Sequence, residues 1–478
     1  MALSTSLVWE CRASGASDSN GGGFVAGGSG TDYSQQNSAQ LSLTDLATTG
    51  VVTTLTSATG GFTAAMVGNV INIGSGTNFT AGFYQITART NSNTVTLDRA
   101  PTTAAGSAGH GSVGGALATL NKLAGAMVAR NKAYGTGAFT TTATITFAQS
   151  VTSDSADPMT RLIGYGTTRG DSGQATLTLQ TNTGLTGILM SGNGFSVEQI
   201  AVDCASLATS TGISFGSLQY SRVLNCKVAN FTSAGISNSG AYDCLVDACE
   251  VTGGTSAATA GIKGYSIWFI RGCFVHDNAC PGIIVGDQGM AMRNLVVNNT
   301  GASADGIRVS FGCFVMANTI HGNGRDGLQL IADNDIINDF RYNLLTSNGR
   351  YGLSAVSGAN LPAHPLYDGN GYWNNTSGAR NGFDNTTGIY AVAPYTNVYD
   401  VLLTANPYVG PTTGTSSNFA LNNTAGGGAA CRAAGQPGTW PGNTGTTSSF
   451  DLGAVQHQDT PGAGPPALVV RGDRFPAY

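Results

Sequence analysis

What this sequence lacks most is charge. Asp, Glu, Lys and Arg make up 10% of its 478 residues, against roughly 25% in ordinary globular proteins. The net charge is -5, with no basic stripe and no run of Lys or Arg. The counterion release that drives nucleic-acid binding is therefore missing, and no nucleic-acid partner is expected. No stretch approaches 18 uninterrupted apolar residues, so no membrane span is expected. The opening residues Met1 to Glu10 have neither a basic start nor an apolar core, and do not read as a secretory signal. Nine cysteines occur without a CxxC pair or a Cys/His zinc spacing. Free, buried thiols are expected in place of disulfides, and neither a metal nor a cofactor is implied.

With 41% hydrophobic residues the chain can still build a large core. A surface poor in charge must then be Ser, Thr, Asn and Gly, and Gly alone contributes 69 residues. That profile fits turn-rich β structure in harsh surroundings better than a cytosolic enzyme.

The glycines are ordered. Gly followed by an apolar residue recurs at Gly187, Gly212, Gly235, Gly261, Gly282, Gly306, Gly327, Gly352 and Gly382, spaced 25, 23, 26, 21, 24, 21, 25 and 30 residues apart. Between these pairs lies a second motif, a Cys or Asn with apolar residues at -3 and +2. Its centres are Cys226, Cys249, Cys273, Asn294, Asn318, Asn343 and Asn370, with Ile200 in an earlier slot. The -3 column runs Val197, Val223, Val246, Ile270, Ala291, Val315, Phe340, Tyr367. The +2 column runs Val202, Val228, Val251, Val275, Val296, Ile320, Leu345, Tyr372.

A period of this length, carried by short apolar strands, predicts an all-β solenoid of parallel coils about 4.8 Å apart. Aliphatic columns fill its interior. The Cys and Asn centres form one ladder with two chemistries, the amides bonding their neighbours, and Gly is expected to supply unusual backbone angles at the corners.

Residues 115–131 place Leu117, Leu120, Leu123, Met127 and Val128 on one helical face. An amphipathic helix there would cap the open end of the solenoid. The expected organisation is a β-rich extension over 1–114, the cap helix over 115–131, and the parallel β-helix over 132–400. A side-packing segment over 401–458 and a linker with a terminal tail over 459–478 complete it. Within the extension, strands are expected near 70–73, 82–89 and 94–98, and residues 12–32 read as an extended loop.

The apolar-x-x-Asn-x-apolar motif followed by Gly-Ile resembles the right-handed β-helix repeats of the pectate-lyase-like superfamily. The ending Asp451 to Gln456, preceded by Asn418 to Asn422, and the opening Trp9 to Phe24 are similar to the same group of bacterial and phage proteins. This resemblance implies a right-handed parallel β-helix solenoid with an N-terminal α-helical cap and an irregular C-terminal tail. It does not fix a function, because one superfold hosts many.

Polygalacturonase-like members carry Asn-Thr-Asp, paired Asp, Gly-His-Gly and Arg-Ile-Lys on consecutive coils. Only Gly109-His110-Gly111 occurs here, placed in the loop before the helix. The best polar cluster joins Asp305 and Asp326, which precede coil glycines on adjacent turns. His276 and His321 are expected in one column about 9–10 Å apart, with Arg325 and Arg350 beside them. Such a carboxylate pair can do general acid–base work on a glycan if one acid is raised by its neighbour. It can also be a turn feature neutralised by Arg325, or hold calcium. Tyr265, Trp268, Phe269, Tyr351, Tyr367, Tyr372 and Trp373 are candidate aromatics for stacking on sugar; Tyr367 and Tyr372 belong to core columns, and Trp268 and Trp373 are the better surface candidates.

Three roles fit. The first is a structural or adhesive bacteriophage virion protein, a tailspike-like fibre or head decoration, partnered by other virion proteins and possible polysaccharide. The second is a polysaccharide lyase or glycoside hydrolase; the third is an extracellular bacterial surface adhesin. A homotrimer is implied by resemblance alone. The absence of a catalytic motif leans the reading away from an enzyme.

Overall fold

Short strands of three to six residues, broken by glycines and left-handed residues, cannot close a core within one turn of chain. They do so by stacking. The structure is a computed structural model that describes residues 3–151, 159–216, 219–238, 240–331, 338–355, 367, 369–381, 400–411, 416–432, 434–435 and 451–456. Gly382 and Phe383, the tail 459–478 and its Arg471-Gly472-Asp473 triplet lie outside the described residues. The chain divides into two compact units, residues 1–178 with 188–201, and residues 179–187 with 202–478.

In the first unit, Leu7–Arg12 pairs in parallel with Lys132–Thr136, which pairs with Thr160–Tyr165, which pairs with Phe195–Glu198. The first coil strand therefore comes from residues 7–12, not from residue 132, and residues 13–131 form an insertion between two neighbouring strands. The stretch read as a loop over 12–32 contains the strand Gly23–Val25, which lies antiparallel on Leu7–Arg12 and covers its free edge. Glu10 is fully buried, and Arg12, Arg169 and the Tyr165 hydroxyl donate to its carboxylate.

The insertion holds a closed antiparallel barrel of Leu41–Thr48, Thr54–Ser57, Thr94–Leu97, Gly82–Asn91, Val70–Phe79 and Thr102–Val113. Leu43, Leu46, Ile71, Ile73, Ile86 and Val95 fill it. Gly109-His110-Gly111 belongs to the strand Thr102–Val113 and not to a loop. A Cβ on Gly109 would stand 2.7 Å from the Phe79 ring and 2.8 Å from Leu46 Cβ, so close packing explains this motif without catalysis.

The helix expected over 115–131 is confined to Leu120–Ala126. Gly114 and Gly115 have positive φ, and Leu117 bridges Cys11 as a strand residue. Thr119 caps the helix by accepting from the Lys122 N–H, while Asp18 accepts from the N–H groups of Ala118 and Thr119. Met127 is extended and Arg130 is left-handed, which ends the helix. Its buried face, Leu120, Leu123 and Ala124, lies against the strand Ile145–Phe147.

The second unit is built of three parallel sheets. In the first, Val223, Val246, Ile270, Ala291, Val315 and Phe340 are direct partners on successive coils. In the second, Val228, Val251, Val275, Val296, Ile320, Leu345 and Tyr372 stack likewise. In the third, the row is Ile213, Ile236, Ile262, Ile283, Ile307, Leu328 and Leu353. Arg380 stands opposite Leu353.

The row glycines act differently from expectation. They have no left-handed backbone; a Cβ on Gly306 would fall 2.7 Å from the Gly327 carbonyl oxygen of the next coil and 2.3 Å from Ile320. The left-handed corners stand just before each Cys or Asn of the ladder; glycine supplies two of them, Gly272 and Gly369 at φ 61 and 68, and Asn225, Ala248, Arg293, Ala317 and Tyr342 supply the others at φ 52, 59, 55, 53 and 60.

The side-packing segment begins inside the solenoid, because Val401–Leu402 is a strand of the second sheet beside Gly371–Trp373. Farther on, Leu403, Tyr408, Phe419, Leu421, Cys431 and Leu452 pack on Leu295, Val297 and Leu344, covering the outward side of that sheet. The Gly453 N–H donates to the Tyr342 carbonyl and that of Ala454 to Thr319 Oγ1. All nine cysteines are free and buried.

Candidate functional site

Asp305 and Asp326 lie on adjacent coils, linked by the Asp326 N–H donating to Asp305 Oδ1 at 3.1 Å. Both side chains are 0% exposed. Each is gripped by the arginine of the following coil. Arg325 donates through Nε to Asp305 Oδ1 at 2.7 Å and through Nη2 to Oδ2 at 2.5 Å, and Arg308 Nε adds a third bond at 2.8 Å. Arg350 Nε reaches Asp326 Oδ1 at 2.9 Å, its Nη2 binds Oδ2, and Ser354 Oγ donates at 2.6 Å. Burial pushes the Asp326 carboxyl up, but Arg350, Ser354 and the Tyr351 N–H outweigh it and hold it below the usual carboxylate range. The acid raised by its neighbour is thus not found at Asp326. Guanidinium groups also occupy the oxygens that calcium would need, and no group of three or more His, Cys, Asp or Glu suited to a metal occurs among the described residues.

His276, Val297 and His321 stack in register on the second sheet, but the histidines have separate surroundings. His276 Nδ1 lies 2.8 Å from Asp277 Oδ2 and Nε2 lies 3.5 Å from Glu250, with the ring stacked on Phe274. Burial alone would lower its pKa; Glu250 and Asp277 outweigh that and raise it. His321 Nδ1 meets Thr346 Oγ1 at 2.9 Å and its ring meets the edges of Tyr408 and Phe419. Burial lowers its pKa to about 4. Among the described residues, no histidine bonds to Asp305 or Asp326. The cluster that looked catalytic resolves into a coil-locking ion-pair ladder and two unrelated histidines.

The tryptophans also move inward. Trp268 is fully buried, its indole N–H donating to the Ala241 carbonyl at 2.8 Å and its ring edge on Phe215. Trp373 is half-buried against the apolar cluster under the C-terminal segment. Tyr367 and Tyr372 are buried, as their columns require.

The aromatics that do face outward lie on the first sheet. Its outer positions form two rows. One runs Arg222, Leu245, Phe269, Met290, Phe314, Asp339, and the other Leu224, Asp247, Arg271, Met292, Met316, Arg341. Phe269 and Phe314 are 45% and 42% exposed. Tyr220, Tyr242 and Tyr265 stand exposed at the corner entering the sheet on three successive coils. The signal was present in the sequence, at positions -4 and -2 from each ladder centre, outside the inward columns.

Comparison with known proteins agrees with this geometry. Residues 211–425 match the family model for a right-handed beta helix region. No curated protein matches the chain in sequence. Among solved structures, pectate lyase Pel9A is similar at 14% identity, over 72% of this chain and 92% of that one, with a TM-score of 0.48. Tailspike protein 2 of Escherichia coli O157:H7 bacteriophage CAB120 is similar at 12% identity, over 69% of this chain and 53% of that one, with a TM-score of 0.40. The periplasmic alginate epimerase AlgG is similar at 12% identity, over 53% of this chain and 76% of that one, with a TM-score of 0.30. At these identities the likeness is one of fold. By its stacked registers and its matching repeat region, the chain is a right-handed parallel β-helix protein.

Proposed function

We propose that this chain is a structural and adhesive protein of a bacteriophage particle, a tailspike-like fibre or head decoration that holds glycans without cleaving them. In this reading it assembles as a homotrimer alongside other virion proteins. The observation that carries the proposal is the state of Asp305 and Asp326. Two carboxylates with 0% exposed side chains, each gripped by the arginine of the next coil, rivet coils together and present no exposed carboxyl to a substrate. The amide ladder from Asn294 through Asn318 and Asn343 to Asn370 serves the same end, bonding each coil to the next. A glycoside hydrolase needs a pair of carboxyls flanking the bond it cleaves.

The test is particle composition. Mass spectrometry of purified virions is expected to find the protein; its absence there would defeat the virion role. Cleavage of capsular or pectic polysaccharide that Asp305→Asn or Asp326→Asn abolishes in a folded protein would replace the structural reading with the enzymatic one.

A further inference from the structure

The outer face of the first sheet is apolar across three coils. Phe269, Met290 and Phe314 are direct partners in one row, and Met292 and Met316 follow in the next. Two arginines bordering this platform are neutralised within the chain. Arg271 pairs with Asp247 at 2.6 Å on one side, and Arg341 pairs with Asp339 on the other. We propose that the Phe269–Met290–Phe314 platform binds a neutral polysaccharide lying along the solenoid axis, with pyranose rings stacked on the two phenylalanines. This rests on the adhesive part of the proposed function and names its ligand class and location.

Three features select that occupant. The first is spacing: two coils separate Phe269 from Phe314, roughly 10 Å, about the length of two pyranose rings in an extended chain. The apolar face of a pyranose suits an aromatic ring, and stacking tolerates variation in the sugar because each ring offers the same flat surface. The second is area. An aromatic side chain carries about 150–250 Å², so at 45% and 42% exposure the two rings and their methionines present on the order of 300 Å². A standard protein interface needs about 800 Å² from each partner, so a second copy of the chain is a poor fit to this platform. The third is charge. A carboxylate-bearing glycan gains no net attraction from ion pairs already closed in the chain, whereas a sugar hydroxyl can donate to a carboxylate or accept from a guanidinium at either border.

The experiment is affinity electrophoresis of the full chain through gels containing glucomannan, galactan, dextran or polygalacturonate. Retardation is expected in at least one neutral gel and to be weaker in polygalacturonate. The double variant Phe269→Ala/Phe314→Ala alters exposed side chains and should melt like the parent. Its retardation should weaken at least tenfold. Retention in none of the neutral gels, stronger retention by polygalacturonate, or unchanged retention of a folded double variant overturns the site. So does a smaller oligomer in the double variant with glycan retention intact, which assigns the face to a second copy. The virion test is independent: a chain absent from particles yet retained by glucomannan loses the virion role and keeps this site.

Discussion

The coils centred on Cys226, Cys249 and Cys273 and those centred on Asn294, Asn318, Asn343 and Asn370 share one backbone path but close their corners with different chemistry. In the thiol coils, each Sγ–H meets backbone carbonyls weakly, as Cys249 does with Asp247 at 3.4 Å and Val223 at 3.6 Å. In the amide coils, the Asn294 oxygen accepts the Cys273 backbone N–H, and each later Asn oxygen accepts both the backbone N–H and the side-chain N–H of the preceding Asn. Asn294 reaches Asn318 Oδ1 at 2.9 and 3.0 Å, and Asn318 reaches Asn343 Oδ1 at 3.0 and 2.9 Å. The row ends where the Asn370 N–H donates to Asp400, itself held by Arg380. A second amide row, Asn278, Asn299, Asn323, Asn348 and Asn375, runs beside it. Packing alone suffices for a coil corner, as the thiols demonstrate. The amides add directional bonds that fix each coil against the next.

The largest difference between the regions is expected from their ion pairs. Asp326→Ala leaves the Ser354 hydroxyl and the Tyr351 N–H without the buried carboxylate they donate to, Arg350 itself being 42% exposed, and should cost about 3–4 kcal/mol. Asp247→Ala, whose partner Arg271 is partly solvated, should cost about 1 kcal/mol. Urea denaturation of the full chain measures both, and equal losses would erase the contrast. Next comes the ladder itself. Asn318→Ala leaves the Asn294 N–H and the Ala291 carbonyl without their partner and should cost about 3 kcal/mol. Cys249→Ala removes one small apolar group and should cost about 1 kcal/mol.

The two histidines, one in each region, should respond to pH with opposite sign. His321 is neutral when folded, its pKa lowered by burial to about 4 from 6.5. As pH falls from 6.5 toward 4 the unfolded chain takes up the proton first, so stability is lost over that window. His276 has a raised pKa through Glu250 and Asp277. Its contribution is full below 6.5 and is lost as pH rises through the folded value. Denaturation midpoints measured from pH 4 to 8 should slope less steeply at the acid end in His321→Gln. They should lose their decline above pH 6.5 in His276→Gln. Matching slopes in the two variants would sink the assignment. The smallest effect is expected from Cys273→Asn, which lengthens the amide row by one coil toward Asn294. It should change stability by less than about 1 kcal/mol, and a loss above about 2 kcal/mol would mean the thiol corner cannot accept an amide.

Much of this was legible in the residues. The -3 and +2 columns became direct strand partners because parallel pairing in register puts like on like. The second amide row is not legible in the sequence because its members stand five residues after the first row, where Asn also reads as an ordinary turn residue. The role of the glycines in the Gly-apolar pairs is hidden for a related reason. Gly306 is needed for the approach of the Gly327 carbonyl, and a contact between coils is invisible in either coil alone. Leu117 was placed on a helix by its spacing, but the neighbouring Glu10 and Arg12 backbone draws it into a strand bridge.

By itself, the sequence determined the coil, since a period of 21 to 30 residues with alternating inward apolar positions permits burial only by stacking. It also determined which side chains lie above which. Tertiary structure alone decided what the polar and aromatic groups do. Asp305 and Asp326 became rivets because Arg325 and Arg350 arrive from the next coil. Trp268 went into the core, and Phe269, one residue later, went out, because strand geometry sends neighbouring side chains to opposite faces. The repeat marks the inward columns and the outward rows of each strand, but a residue just outside the strand, such as Trp268, is placed by the bend of the coil alone.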